Sequence, residues 1–159
     1  MRKMLLLPAV ILLALSASCQ REKTDYISIN GKIFIFNVKL ARAYYMLDLN
    51  RLQATPDNSV AVAEFENPAG GPPLVTEQKV FPKMTRIDLQ SPDVNCVVAG
   101  KPYKIHITLK DADGKVLQTL DTTLASTLDQ TVMPAESLVL GAAYDKDGTT
   151  KFRQACKPS

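Results

Sequence analysis

Residues 103–120 read YKIHITLKDADGKVLQTL. Apolar side chains occupy every second position of the first half, at Tyr103, Ile105, Ile107 and Leu109. This period of two predicts a strand with one buried face. An acidic turn at 111–114 ends in glycine, and residues 115–120 return as a second strand. Two strands joined by such a turn predict a β-hairpin.

The rest of the mature chain is also mostly β in pattern. Strands are predicted over 26–36, 44–52, 60–65, 74–81, 84–89, 137–144 and 149–156. The stretch 40–52 also fits one side of a helix, but its paired tyrosines favour a strand. These short segments and the scarcity of helices predict an all-β domain, a single β-sandwich or open barrel of about seven to eight mostly antiparallel strands.

The first predicted strand reads YISINGKIFIF over 26–36. Its period of two predicts a shared buried face for Ile27, Ile29, Ile33 and Ile35. Gly31 lies between the two isoleucine pairs, where it marks a bulge or bend.

The N-terminus has the organisation of an export signal. Arg2 and Lys3 precede an uncharged apolar run over 5–17, and small residues follow. These features are typical of a cleaved signal peptide, predicted here for 1–18. The alternative is a permanent membrane helix, but 13 residues are short for a hydrocarbon core of about 30 Å.

Residues 15–19, LSASC, resemble a bacterial lipobox. That resemblance implies that Cys19 receives a diacylglycerol and becomes the first mature residue, acylated like other lipoproteins, for example with palmitate. The alternative is ordinary cleavage nearby, which leaves Cys19 free. Residues 19–25 form a short polar tether that reaches about 20 Å when extended. Gln20 follows the cysteine, and by resemblance to enterobacterial lipoproteins the absence of Asp there implies the outer membrane, at its periplasmic face.

The cysteine count fits this interpretation. The chain has three cysteines, Cys19, Cys96 and Cys156. Lipidation of Cys19 leaves an even pair, which an oxidising periplasm is expected to join as a disulfide. The alternatives are two buried free thiols or a metal site, although neither cysteine has a His or a second Cys at ligand spacing.

Composition limits the partners of the mature chain. Residues 26–159 are predicted to form one domain. Without Arg2 and Lys3, 17 of the 19 basic residues remain against 16 acidic ones, a net charge of +1. A nearly neutral chain gives no indication of nucleic-acid binding.

The sequence offers few groups for catalysis. His106 is the one histidine, and alternation places it on the polar side of its strand. One outward histidine assembles neither a Ser-His-Asp triad nor a multi-His zinc site. The Asp-x-Asp-Gly turns at 111–114 and 145–148 lack the downstream Glu of a calcium loop. We therefore expect no catalytic residues, no cofactor and no metal, hence a protein that is not an enzyme.

The order of these features resembles a known family. A lipobox precedes a strand with glycine between aliphatic residues, here 29–33, and a later strand with Tyr103 and alternating aliphatics ends in a hairpin. This resembles the YbaY/YscW-type lipoproteins, which include pilotins of type III secretion. The resemblance covers about residues 27–124. It implies a β-sandwich lipoprotein that binds an envelope protein such as a secretin subunit and helps to assemble it.

Two binding surfaces are candidates. Phe34 and Phe36 lie on the second face of the first strand, with Tyr44 nearby in sequence, and they are predicted to contact a partner. The alternative is that these aromatic residues pack in the core. The other candidate is the loop 67–73, NPAGGPP, which would serve a surface-exposed inhibitor or small-ligand-binding lipoprotein.

Overall fold

The computed structural model describes residues 24–139 and Cys156. In these residues seven strands form two antiparallel sheets, as the sequence predicts for an all-β sandwich. The strands are β1 Ile27–Asn37, β2 Arg42–Arg51, β3 Val60–Phe65, β4 Leu74–Lys79, β5 Arg86–Gln90, β6 Pro102–Lys110 and β7 Val116–Ala125. Short 3-10 helices follow at Val38–Leu40 and Gln130–Val132.

The strand order is β1-β2-β5 in one sheet and β4-β3-β6-β7 in the other. The two inner faces form one core whose largest fully buried side chains are Tyr45, Tyr103 and Phe65. The sheets approach each other along both pairs of edges. β4 meets β5, where the Thr76 hydroxyl donates to the Gln90 carbonyl at 2.8 Å, and β1 lies beside β7.

The predicted hairpin forms between β6 and β7. Its apolar positions Tyr103, Ile105, Ile107 and Leu109 are all buried. The turn uses its own acid, because Asp111 Oδ1 accepts from the backbone N–H groups of Asp113 and Lys115. The second Asp-x-Asp-Gly turn, at 145–148, lies outside the described residues.

The prediction that Ile27, Ile29, Ile33 and Ile35 share one buried face is wrong. The β1–β2 register shifts between Ile29 and Gly31, the bulge position that the glycine indicated. One extra residue reverses the alternation that follows it. Ile27 is therefore buried, whereas Ile33 is 55% exposed and Phe34 takes the inward position.

The described residues include only a small part of the two strands predicted near the C-terminus. A strand was predicted from position 137, but residues 137–139 are not part of one. The Ser137 hydroxyl lies within hydrogen-bond distance of the Val139 carbonyl and accepts from the Val139 N–H, and such local bonding competes with a ladder. The rest of that strand and most of the strand predicted over 149–156 lie outside the described residues, as do the signal peptide and Cys19.

The predicted disulfide is present. Cys96 and Cys156 are joined, with their Cα atoms 5.3 Å apart. The bond ties the C-terminal region to the segment before β6. None of the helices among residues 24–139 is long and apolar enough to cross a membrane.

Candidate functional site

The most distinctive surface is the seam between β1 and β7. Within residues 24–139 each is the edge strand of its own sheet, so each has a row of backbone groups without a ladder partner there. Contacts across the seam join Ile27 to Gln118 and Lys32 to Thr122. Residue numbers increase together along the two strands, so β1 and β7 run in the same direction.

Polar side chains close the first part of this seam. Gln118 is 6% exposed, and its amide binds the backbone at the start of β1. Its Oε1 accepts from the N–H of Tyr26 at 2.6 Å and of Ile27 at 2.9 Å, and its Nε2 donates to the Ile27 carbonyl at 2.9 Å. Further along, Lys32 Nζ donates to the Thr122 hydroxyl. We call this part, Ile27–Lys32 against Gln118–Thr122, the closed half of the seam.

The seam then opens into a cleft of about 370 Å³. We call this part the open half. It is lined by Lys32, Ile33, Phe34, Phe36, Leu124, Ala125, Ser126, Thr127 and Leu128. Among the described residues, no hydrogen bond crosses the seam beyond the one from Lys32 to Thr122. The lining residues that the structure describes are mostly apolar, and Lys32 is the one charged side chain among them.

The structure separates the three predicted partner-contact residues. Phe34 and Phe36 share the inner side of β1, with ring centroids 6.2 Å apart, and both line the open half. Phe34 is only 7% exposed and belongs mainly to the core, with its ring 4.3 Å from that of Tyr45. Tyr44 pairs with Ile35 and lies on the opposite face of the sheet. The three therefore do not form a single surface.

Tyr45 closes the core behind the open half. Its hydroxyl donates to the Glu66 carbonyl at 2.7 Å. Burial is the main cause that raises the pKa of this phenol above 10.0, and the charges of Tyr103 and Glu66 add to it. The phenol therefore stays protonated, and it fixes the β2 aromatic ring against which Phe34 packs.

A second group of polar residues lies on the outer face of β6 and β7. His106 faces outward as predicted, but it is not isolated. Its Nδ1 lies 2.6 Å from Asp121 Oδ1, and its Nε2 lies 3.2 Å from the Thr108 hydroxyl. Alternation places Asp121 on the polar face of β7. Its position opposite His106 depends on a register shift between Leu109 and Lys110 that no sequence signal indicated.

This acid, imidazole and hydroxyl have the order of a nucleophilic triad, but the surroundings do not suit that chemistry. An oxyanion needs free hydrogen-bond donors aimed at it. β6 is paired on both sides, with β3 and β7, so the backbone N–H groups around Thr108 belong to ladders. The group is also exposed, with the Asp121 side chain 80% accessible.

The predicted loop 67–73 lies beside a shallow depression of about 520 Å³. Its lining combines Asn67, Gly71 and Pro73 of the loop with Glu64, Glu66, Pro102, Lys104 and His106. Within the described ranges, no three His, Cys, Asp or Glu side chains are grouped so that they could hold a metal ion.

Comparison with known proteins does not assign a family to this chain. No protein-family model and no curated protein sequence matches the chain. One similar solved structure is an endonuclease/exonuclease/phosphatase from Beutenbergia cavernae, at 20% identity and a TM-score of 0.35. The alignment covers 53% of this chain and 21% of that one, so the chain spans about a fifth of the neighbour's length.

Proposed function

We propose that this protein is a lipoprotein, anchored to the outer membrane through Cys19, whose sandwich is a non-catalytic binding and assembly module for an envelope protein. The open half of the β1–β7 seam is the observation that carries the proposal. It offers aromatic and aliphatic side chains beside two free sheet edges, a combination that suits the capture of a polypeptide segment.

The position of the cleft relative to the tether supports this role. The tether leads into Tyr26, at the closed end of the seam. Phe34 follows eight residues later along an extended strand, which places the open half about 25 Å from the point of attachment. A client in the periplasm can therefore reach the cleft while the lipid remains in the membrane.

The mode of action follows from these two features. The cleft holds a segment of the client, and the lipid on Cys19 carries the complex along the outer-membrane sorting route. This is the pilotin-like role that the resemblance to YbaY/YscW-type lipoproteins implies, with a secretin or another outer-membrane assembly subunit as the client.

The test is to crosslink the full-length lipoprotein in its own host and to identify its partners by mass spectrometry. Phe36→Asp places a charge in the open half, and Val75→Asp makes the same change at an exposed apolar residue of β4. We expect an envelope client with the wild type and Val75→Asp, and its loss with Phe36→Asp. We also expect Cys19→Ser to remove the client from the outer-membrane fraction. A client that reaches the outer membrane normally without this protein would refute the proposal.

A second candidate function rests on the depression beside the loop 67–73. A surface-exposed inhibitor or small-ligand binder would use this loop, which contributes three of the eight lining residues. Shortening the loop while the fold is retained should then abolish binding to the target. Binding that survives the deletion removes this candidate.

A further inference from the structure

We infer that the open half receives an extended strand of the partner, which pairs antiparallel with β1 and carries an acidic side chain towards its C-terminal end. This inference rests on the proposed function and names the chemistry of the segment that the site takes. The argument uses the free edge of β1, the directions of the strands and the charge of Lys32.

The free edge favours a strand over a helix. Among the strands of residues 24–139, β1 has a ladder with β2 on one side only. In the closed half, the Gln118 amide already supplies the hydrogen bonds that a neighbouring strand would give to Ile27. The open half has the same edge without that substitute. An added strand would satisfy this row of backbone groups, whereas a helix has no free backbone groups to offer.

The directions of the strands fix the orientation. Every ladder between named strands in the two sheets is antiparallel. Since β1 and β7 run in the same direction, one inserted strand can be antiparallel to both. Such a strand enters beside Phe36 and has its C-terminal end beside Lys32. It can go no further between the sheets, because the closed half begins there.

The positive charge of Lys32 at that point favours an acidic side chain on the incoming strand. Lys32 Nζ binds the neutral hydroxyl of Thr122, and none of the ion pairs among the described residues includes Lys32. A carboxylate on the incoming strand would supply the missing countercharge. The remaining lining residues that the structure describes are mostly apolar, so they suit aliphatic or aromatic side chains at alternate positions of the strand.

The experiment presents a random library of peptides, with a constant uncharged C-terminal extension, to the purified full-length protein. Lys32→Glu is the test variant, and Lys79→Glu on β4 is the control with the same charge change away from the seam. We expect the wild type and Lys79→Glu to select alternating apolar residues followed by Asp or Glu. We expect Lys32→Glu to select Lys or Arg at that position.

The selected peptides, synthesised with blocked ends, allow a direct measurement. An acidic peptide should bind Lys32→Glu roughly three- to tenfold more weakly than the wild type, and an Asp→Lys peptide should regain that factor. Hydrogen exchange at the amides of 33–36 should slow when the peptide binds. Amides at the edge of β4 should not change.

Four results would overturn the inference. The first is that the library yields no enriched sequence, and the second is that the selected peptides have apolar residues spaced by three and four, as in a helix. The third is an acidic preference that Lys32→Glu leaves unchanged. The fourth is dimerisation of the protein that Phe36→Asp abolishes, which would make a second copy the occupant of the cleft. If crosslinking still finds a Phe36-dependent client in any of these cases, the proposed function stands and only the strand assignment fails.

Discussion

The two halves of the β1–β7 seam are made by the same pair of strands and differ in how they are joined. In the closed half, Gln118 and Lys32 reach across and bind the opposite edge. In the open half, Phe34, Phe36 and Leu124 occupy the corresponding positions and leave a cleft. The difference lies in the side chains, because polar groups can replace a missing ladder bond and apolar groups cannot. Among the described residues, the backbone groups at the edge of β1 are therefore hydrogen-bonded in the closed half and available to a partner in the open half.

The largest effect is expected from the disulfide, which fastens the chain behind the open half. Cys96 precedes Val97, whose carbonyl accepts from the Gln130 N–H at 2.9 Å, close to the cleft residue Leu128. The bond spans 60 residues, so Cys96→Ser should lower the free energy of unfolding by about 4 kcal/mol in the chain-entropy model. Urea unfolding measures this loss.

The comparison of the two halves makes the disulfide prediction more specific. Native-state hydrogen exchange under mild conditions should increase more at 126–130 than at Ile27, because Gln118 still holds the closed half. Cys19→Ser is the control that leaves the disulfide intact. An equal increase at both places would contradict the view that the halves are held independently.

Substitutions at Phe34 and Phe36 are expected to have different effects: the first mainly lowers stability, and the second mainly weakens partner binding. Phe34→Ala removes a ring that packs on Tyr45 and Tyr103, and it should cost about 3 kcal/mol. Phe36 is only partly buried, so Phe36→Ala should cost about 1 kcal/mol and act mainly on partner binding. Thermal and urea unfolding measure the first effect, and crosslinking yield measures the second. Equal losses of stability would place both rings in the core.

Gln118→Leu tests the bridge of the closed half. The substitution keeps the apolar volume but leaves the N–H and carbonyl of Ile27 without their partner, at a cost of about 2–3 kcal/mol. Gln78→Leu is the matched control, because Gln78 lies on the other edge strand of that sheet and, among the described residues, its amide donates only to the neighbouring Lys79 carbonyl. If both variants lose the same stability, the Gln118 bridge contributes nothing particular to the seam.

These features also show which parts of the fold and of the site could be predicted from the sequence. Alternation and turn chemistry predicted the β6–β7 hairpin, because each signal is local and its side chains face one core. Gly31 indicated the bulge, but the reversal of faces that placed Phe34 inside and Ile33 outside depends on pairing with β2. The seam itself was not predictable, because no local pattern states that β1 and β7 become neighbours. For the same reason Gln118 had no visible role.

Tyr45 makes the free energy of unfolding depend on pH, because its phenol is buried in the core behind the open half. Burial raises the pKa of its phenol above the ordinary value of 10.0. As the pH rises, the phenol therefore ionises in the unfolded chain before it ionises in the folded protein. The contribution of Tyr45 to the free energy of unfolding is complete below about pH 10 and declines as the pH rises further. Tyr45→Phe should cost about 1 kcal/mol at neutral pH through its lost bond to Glu66, and it should flatten the decline at alkaline pH.

Urea unfolding of the wild type and Tyr45→Phe across alkaline pH measures this dependence. Tyr44→Phe is the control, because Tyr44 lies on the outer face of the same strand. An alkaline decline that is unchanged in Tyr45→Phe would assign it to another group.

The smallest effect on stability is expected from Lys32, where the two halves meet. Its ammonium is exposed and binds one neutral hydroxyl, so Lys32→Met should change the free energy of unfolding by no more than about 0.5 kcal/mol. Thr122→Val removes the other partner of the same bond and should have a similarly small effect. A loss as large as that of Gln118→Leu would mean that Lys32 is needed to hold the closed half together. A small loss means that its charge is free to serve the cleft, since a residue that contributes little to the fold can change its partner when a carboxylate arrives.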